Sequence, residues 1–431
     1  MLTLDNIDIH DPKRYQRFGF PWQAFDLLRE QAPVFYYERG NVEPFWVVSR
    51  YQDILEVSEN PEIFINGGPR LRLALKGKPE ILRAGLDTFG EERNWDPEEP
   101  PDMVFMDNPR HRHMRKLSSW AFTQGAMRNM GTHFDKLAEQ FTASFISDAK
   151  LAAKNNRAID LVAGLSCKLP LAATGEILGL QPEDWKQILV WTNALVGEFG
   201  PGNIRPGESR GAAGYRHMYE FRVYLESLIH DSRENGQDRG GFIDHLVHHK
   251  VQGKLLNDQQ LIGYLFLLIA AGNDTTRNAF TGGIAALIEN PTQCDLLLNS
   301  PKLIPSAVEE ILRWTSPVGH FLRTAVENFT LAGKQISAGD TVALFYPSAN
   351  RDEQIFDNPY QFNIQRSPNA HLTFGFGAHF CLGTNLARAE LKASLKALIP
   401  HLKHLKFAGK GIHMAETHAV GYSELPVTYA S

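Results

Sequence analysis

The chain has 431 residues, 43% of them hydrophobic and 22% charged, with a net charge of −5 and a pI near 6.4. This is the composition of an ordinary globular protein, without the basic footprint of a nucleic-acid binder. Three cysteines argue against a disulfide framework and fit a reducing cytoplasm, and no stretch reaches the roughly 18 apolar residues of a membrane-spanning helix.

Met1 to His10 is acidic and lacks the charged and apolar regions of a signal peptide. Residues 33–37 and 44–49 are rich in aromatic and β-branched side chains, with Arg39, Gly40 and Asn41 between them, which predicts a hairpin. Tyr51 to Glu59 predicts a short helix that stops before Pro61. Residues 66–110 hold many Gly, Pro and charged positions with little periodicity, the pattern of a lid or a solvated loop. Asp107 to Lys116 opens the next helix, where His111 and Arg115 stand four apart and share a face. Arg112 and Lys116 belong to a solvated basic face of the same segment. Helical patterns then run through 133–153, 166–179, 183–198 and 215–232, interrupted by the Gly- and Pro-rich connection Gly200 to Ser209. No internal repeat and no linker divides the chain, so one domain over 1–431 is expected.

The longest helical pattern runs from Asp258 to Asn290, between Asn257 and Pro291. At 1.5 Å per residue it spans about 50 Å. Leu261, Leu265, Leu268 and Ile269 place it inside the protein, yet Gly272, Asn273, Asp274, Thr275 and Thr276 together cost roughly 3 kcal/mol of helix propensity. Packing alone offers no reason for that loss, so a local opening of the helix is expected, bent by threonine hydroxyls bonding back to carbonyls. Glu310 and Arg313 follow on an apolar helix from Ile304 to Trp314; alone, such a pair is a weak signal. Ser316 to Ala325 leads into short strands, and residues 350–373 read as an irregular meander.

The meander delivers Phe374, Gly375, Phe376, Gly377, Ala378, His379, Phe380, Cys381, Leu382 and Gly383. The glycines suit a tight bulge where backbone comes close to something flat. Cys381 stands just before a helical run to Ile399, and a helix N-terminus favours the thiolate. Cys167 and Cys294 lie too far away to form a zinc site with it, and no Cys-x-x-Cys-His pair exists for covalent haem. Phe380 stands where the third glycine of a dinucleotide loop belongs.

These ten residues match Phe-Gly-x-Gly-x-His-x-Cys-x-Gly at every fixed position, and the segment resembles the haem-binding loop of the cytochrome P450s. The resemblance implies a mainly α-helical fold with small β-sheets, with haem between the long central helix and the helix after the cysteine loop. It implies that Cys381 is the iron ligand of heme b (iron protoporphyrin IX), that His379 donates to a propionate, and that Phe374 packs near the sulfur, with Gly383 completing the loop. His111, Arg115 and Arg323 would hold the propionates. Asp274 and Thr275 match the acid–alcohol pair that delivers protons for O–O cleavage, with Asp274 relaying them from solvent. Glu310 and Arg313 are the structural Glu-x-x-Arg, completed by Arg366. Ala270, Ala271, Val318, His320 and Phe321 would line the substrate pocket. Residues 66–110 would cover it, 200–209 would be the flap that opens for substrate, and 420–426 would turn back into it.

The implied reaction is monooxygenation of a hydrophobic substrate (terpenoid, sterol-like or long-chain) by O2. No flavin or iron–sulfur segment is left over, so electrons are expected from a separate ferredoxin and ferredoxin reductase. A monomer of the soluble bacterial type is expected, cytoplasmic and without nucleic-acid or membrane partners. Three other readings are a peroxide-driven hydroxylase of the same fold, which usually lacks the acid–alcohol pair, a nitric oxide reductase, and a non-catalytic haem-thiolate sensor.

Overall fold

The hairpin near the start forms, with Val34–Tyr37 antiparallel to Phe45–Val48. The second strand then pairs in parallel with Thr341–Leu344, which is itself antiparallel to Phe321–Ala325, and Phe64–Ile65 closes the sheet at five strands. This architecture comes from a computed structural model that describes residues 2–68, 70–73, 76, 100, 102–195, 201–235 and 241–430. The lid expected over 66–110 lies largely outside the described residues, as does the residue that opens the 200–209 flap. Among the described residues there are four further sheets of two or three short strands. The remainder is mostly helical, and among the described residues no helix is long and apolar enough to cross a membrane.

Helix limits follow the capping and breaking residues. Tyr51–Glu59 stops before Pro61 as expected, and the patterns over 133–153, 166–179, 183–198 and 215–232 become Gln124–Lys154, Lys168–Leu178, Trp185–Leu195 and Arg210–Asn235. Glu208 accepts twice from Arg216, at 2.9 Å each, and so ties the end of the 201–209 connection to the helix after it.

The long helix, Asp258–Glu289, is where the expectation of an opening fails: it is continuous over 32 residues. Asn257 and Gln260 cap its start reciprocally. Its first half (Leu261 to Ile269) packs in one apolar core and its last third (Ala279 to Leu287) in another. Burial at both ends outweighs the propensity loss between them. Gly272 also has a packing reason: a Cβ there would lie 2.6 Å from Thr174 Oγ1, so the glycine lets the Lys168–Leu178 helix approach closely. The middle, 270–278, is thus a polar strip between two apolar cores.

Candidate haem and oxygen-activation site

The cysteine loop is built by its own backbone. Cys381 N–H donates to Phe374 C=O at 2.9 Å, Phe380 N–H to Gly377 C=O at 3.1 Å, and Gly375 N–H to Leu372 C=O at 2.9 Å. Gly375 and Gly377 both take positive φ, 70° and 74°. At Gly377 a Cβ would stand 2.4 Å from Ser58 C=O, so the close approach expected of these glycines is to the backbone of the Tyr51–Glu59 helix. The helix after the loop begins at Thr384, and Thr384 Oγ1 donates to Cys381 C=O at 2.8 Å.

Cys381 is exposed, yet the protein around it still desolvates the sulfur. Burial pushes the thiol up, against the pull of the Gly383 N–H, the Thr384 hydroxyl, Arg115 and Arg388. The lowering expected from the helix N-terminus therefore does not prevail. A metal cation is what turns such a sulfur into a thiolate.

Four basic side chains gather beside it. His111 and Arg115 come from the helix Arg110–Ser119, which is pinned to the long helix by Tyr264: its hydroxyl donates to Met114 C=O at 2.8 Å and meets Ser118 Oγ at 2.6 Å. The His111 ring lies 4.0 Å from that of His379. Arg323 enters from the five-stranded sheet, donating to Leu322 C=O at 2.8 Å and bonding the Tyr346 hydroxyl. Burial and then Arg115 push His111 down to about 4, and burial followed by Arg323, His111 and Arg115 hold His379 well below the usual histidine range. Among the described residues no carboxylate stands among the leading causes of the shifts of His111, Arg115 or His379, while the Cys381 sulfur does act on Arg115. Two arginine cations and two neutral histidines that can donate N–H, set beside a soft sulfur, are the donor set that a metal macrocycle with two carboxylate arms requires. The residues present fit haem.

On the long helix, Ala271 is the one exposed residue between Leu261 and Ile288, and Thr275, one turn on, is half-buried. Thr275 Oγ1 donates to Ala271 C=O at 2.9 Å, the back-bond expected of it, without opening the helix. Asp274 is buried, 3.2 Å from Arg277, and burial raises its carboxyl pKa despite Arg277 and Arg72. Arg277 also donates to Asn193 Oδ1 at 2.7 Å, and Asn273 Nδ2 donates to Thr192 Oγ1 at 3.2 Å, so the Trp185–Leu195 helix is tied to both sides of the acid. Sequence reasoning missed Arg277 and Asn193; the i,i+3 spacing from Asp274 was the available signal for the first, and none existed for the second.

Of the expected pocket residues, Ala270, Val318 and Phe321 are half-buried and Ala271 exposed. Val318 bridges to Ala419, and Val420 N–H donates to Pro317 C=O at 2.9 Å, so the last turn does return to this wall. His320 is fully buried, its Nε2 accepting from Leu73 N–H at 3.1 Å and its ring packed on Phe345 and on His418, which Phe321 also contacts.

Glu310 and Arg313 are both fully buried and joined by two 2.8 Å bonds, and Arg366 Nε reaches Glu310 at 3.2 Å. Arg313 also donates to Asn350 and Pro359 carbonyls at 2.8 and 2.9 Å, and so holds the meander that leads into the cysteine loop.

Comparison with known proteins shows the family. The family model for cytochrome P450 matches residues 294–427. The chain is 32% identical to a methyl-branched lipid omega-hydroxylase of Mycobacterium tuberculosis, covering 94% of this chain and 90% of that protein. It is 31% identical to linalool 8-monooxygenase of Pseudomonas putida, covering 98% and 99%. A cytochrome P450 of Mycobacterium marinum in complex with pseudoionone superposes with a TM-score of 0.84 at 29% identity, over the full length of both chains. The chain belongs to the cytochrome P450 family, and with it come heme b as cofactor and monooxygenation as the reaction class.

Proposed function

We propose that this enzyme hydroxylates a bulky or long-chain apolar molecule, of terpenoid, sterol-like or methyl-branched aliphatic type. The observation that carries this is the exposed Ala271 beside Thr275, set in a helix otherwise buried, on a wall whose other members are Ala270, Val318 and Phe321. The wall offers apolar contact and one hydroxyl, which suits a substrate held by burial and shape. Two relatives whose names specify a lipid and a terpene alcohol support the substrate class.

Haem supplies the redox chemistry, in which R–H, O2, two electrons and two protons give R–OH and water. Cys381 would hold the iron, and His111, Arg115, Arg323 and His379 the carboxylate arms. Asp274, with its pKa raised by burial, is set to carry a proton. Arg277 keeps that carboxyl beside Thr275, and the Thr275 hydroxyl passes the proton onward by turning from Ala271 C=O. Electrons arrive from a separate ferredoxin and its reductase, for which the exposed face of Arg112 and Lys116 suits an acidic carrier. The enzyme works as a monomeric single domain in the cytoplasm.

The test is the absorption spectrum of the reduced, carbon monoxide-treated protein, with Cys381→His as control. A thiolate-type band in the wild type alone is expected, and an imidazole-type band in the wild type would refute the mechanism. Titration with linalool, methyl-branched fatty acids and sterols then identifies the substrate class by its spectral shift. Asp274→Asn, reconstituted with ferredoxin and reductase, should lose product formation by roughly 10²-fold, the low end of general acid catalysis. Unchanged product per electron would remove Asp274 from the reaction.

A further inference from the structure

A second ion-pair assembly stands behind the cysteine loop. Arg388, on the helix Thr384–Leu398, donates from Nε and Nη2 to the two oxygens of Glu309, each at 2.7 Å. His371 Nε2 meets the same carboxylate at 3.2 Å. The guanidinium also lies over the Phe374 ring, 4.7 Å from its centroid. Phe374 is the residue whose carbonyl closes the loop on the Cys381 N–H. The cation thus touches the ring of the residue that is hydrogen-bonded through its backbone to Cys381, and Glu309 neutralises that cation. Glu309 and Arg388 are each 28% exposed, enough burial for their charges to act over a distance. Burial would raise Glu309, but His371 and Arg388 hold it down at about 2, so it is anionic at any working pH. The charge of Arg388 reaches Cys381.

We propose that Glu309 and Arg388 set the reduction potential of the haem iron, Arg388 drawing charge from the sulfur side through Phe374 and Glu309 limiting how far it does so. The proposal rests on the haem-thiolate reading. Reduction adds negative charge to the iron–sulfur unit, so an unbalanced cation nearby favours the reduced form and an unbalanced anion the oxidised form. Deleting the two partners therefore has opposite effects, whereas damage to a purely structural bridge has no such sign rule. Both are positioning residues: neither touches the reacting atoms.

The experiment is an anaerobic spectroelectrochemical titration of the holoenzyme at pH 8. At the wild-type midpoint, Glu309→Gln should raise the reduced-to-oxidised ratio roughly fivefold, and Arg388→Gln should lower it by a similar factor, the scale of one partly screened charge. The double variant and Arg388→Lys should return close to the wild type. Single variants that move in the same direction, or no resolvable shift in either, would overturn the proposal. If one single variant fails to retain haem, Glu309→Asp and Arg388→Lys decide the matter: they keep the charges and disturb the geometry, so potentials displaced as far as by charge deletion would refute it. The carbon monoxide spectrum of each sample separates this outcome from failure of the haem-thiolate reading, which would show in the wild type itself.

Discussion

Replacing Glu310 by Gln tests whether the buried ion cluster holds the proximal scaffold. The Glu310 carboxylate accepts from Arg313 Nε and Nη2 at 2.8 Å, Arg366 Nε at 3.2 Å, Asn363 N–H at 2.9 Å and Asn369 Nδ2 at 3.1 Å. Gln keeps the shape but offers one acceptor oxygen and an NH2 group. In either orientation donors of the cluster face a donor, and two guanidinium groups lose their counter-charge. Glu310 and Arg313 are wholly buried, so solvent gives no relief. Breaking such a pair from one side costs about 3–5 kcal/mol, a large part of a typical 5–15 kcal/mol of stability. The assay is urea unfolding of the haem-loaded protein, followed by far-ultraviolet circular dichroism and by haem absorbance. A bound cofactor breaks two-state behaviour, so both midpoints are compared. The haem signal should fall first, because Arg313 carries the meander that leads to Cys381. A loss below about 1 kcal/mol by both probes would refute this assignment, since that is the scale of an exposed pair.

Two other outcomes follow from the same region. Gly377→Ala meets both a positive φ of 74° and the Ser58 carbonyl at 2.4 Å, so it should cost at least ~1–2 kcal/mol from the backbone alone and lower the haem content of purified protein; full haem occupancy would contradict the close approach. Glu309 has its folded pKa lowered to about 2 from an ordinary 4.5, so its contribution is complete above pH 4.5 and is lost as pH falls toward 2. Denaturant midpoints measured between pH 5 and 2.5 should show the wild type losing about 2–3 kcal/mol more than Glu309→Gln across that window, and parallel curves would refute the linkage.

Much of this architecture is readable locally. The hairpin, the Tyr51–Glu59 helix and the limits of the long helix follow from caps, breakers and periodicity, and the cysteine loop from one contiguous motif. What escaped reading depends on distant partners. The continuity of the long helix through Gly272 is decided by Thr174 and two flanking cores, which no propensity sum contains. The burial of His320 is likewise decided by a distant partner, His418, almost a hundred positions later. Glu309 reads as one more charge before Glu310 until Arg388 and His371 arrive from 79 and 62 residues away. At Cys381 the helix-end electrostatics are visible in the sequence, whereas the desolvation that opposes them is not.

The buried cluster of Glu310, Arg313 and Arg366 also bears on how the protein is made. Its members, together with Glu309, His371, Cys381 and Arg388, all fall between residues 309 and 388, inside the segment that the family model recognises. The opposite wall of the site comes from Ala270 to Thr275, and His111 and Arg115 come earlier still. During synthesis from the N-terminus, the wall around Ala271 therefore leaves the ribosome before the residues proposed to hold the iron. Synthesis must pass Cys381 before the proposed iron ligand exists, so haem capture follows the making of both walls of the site.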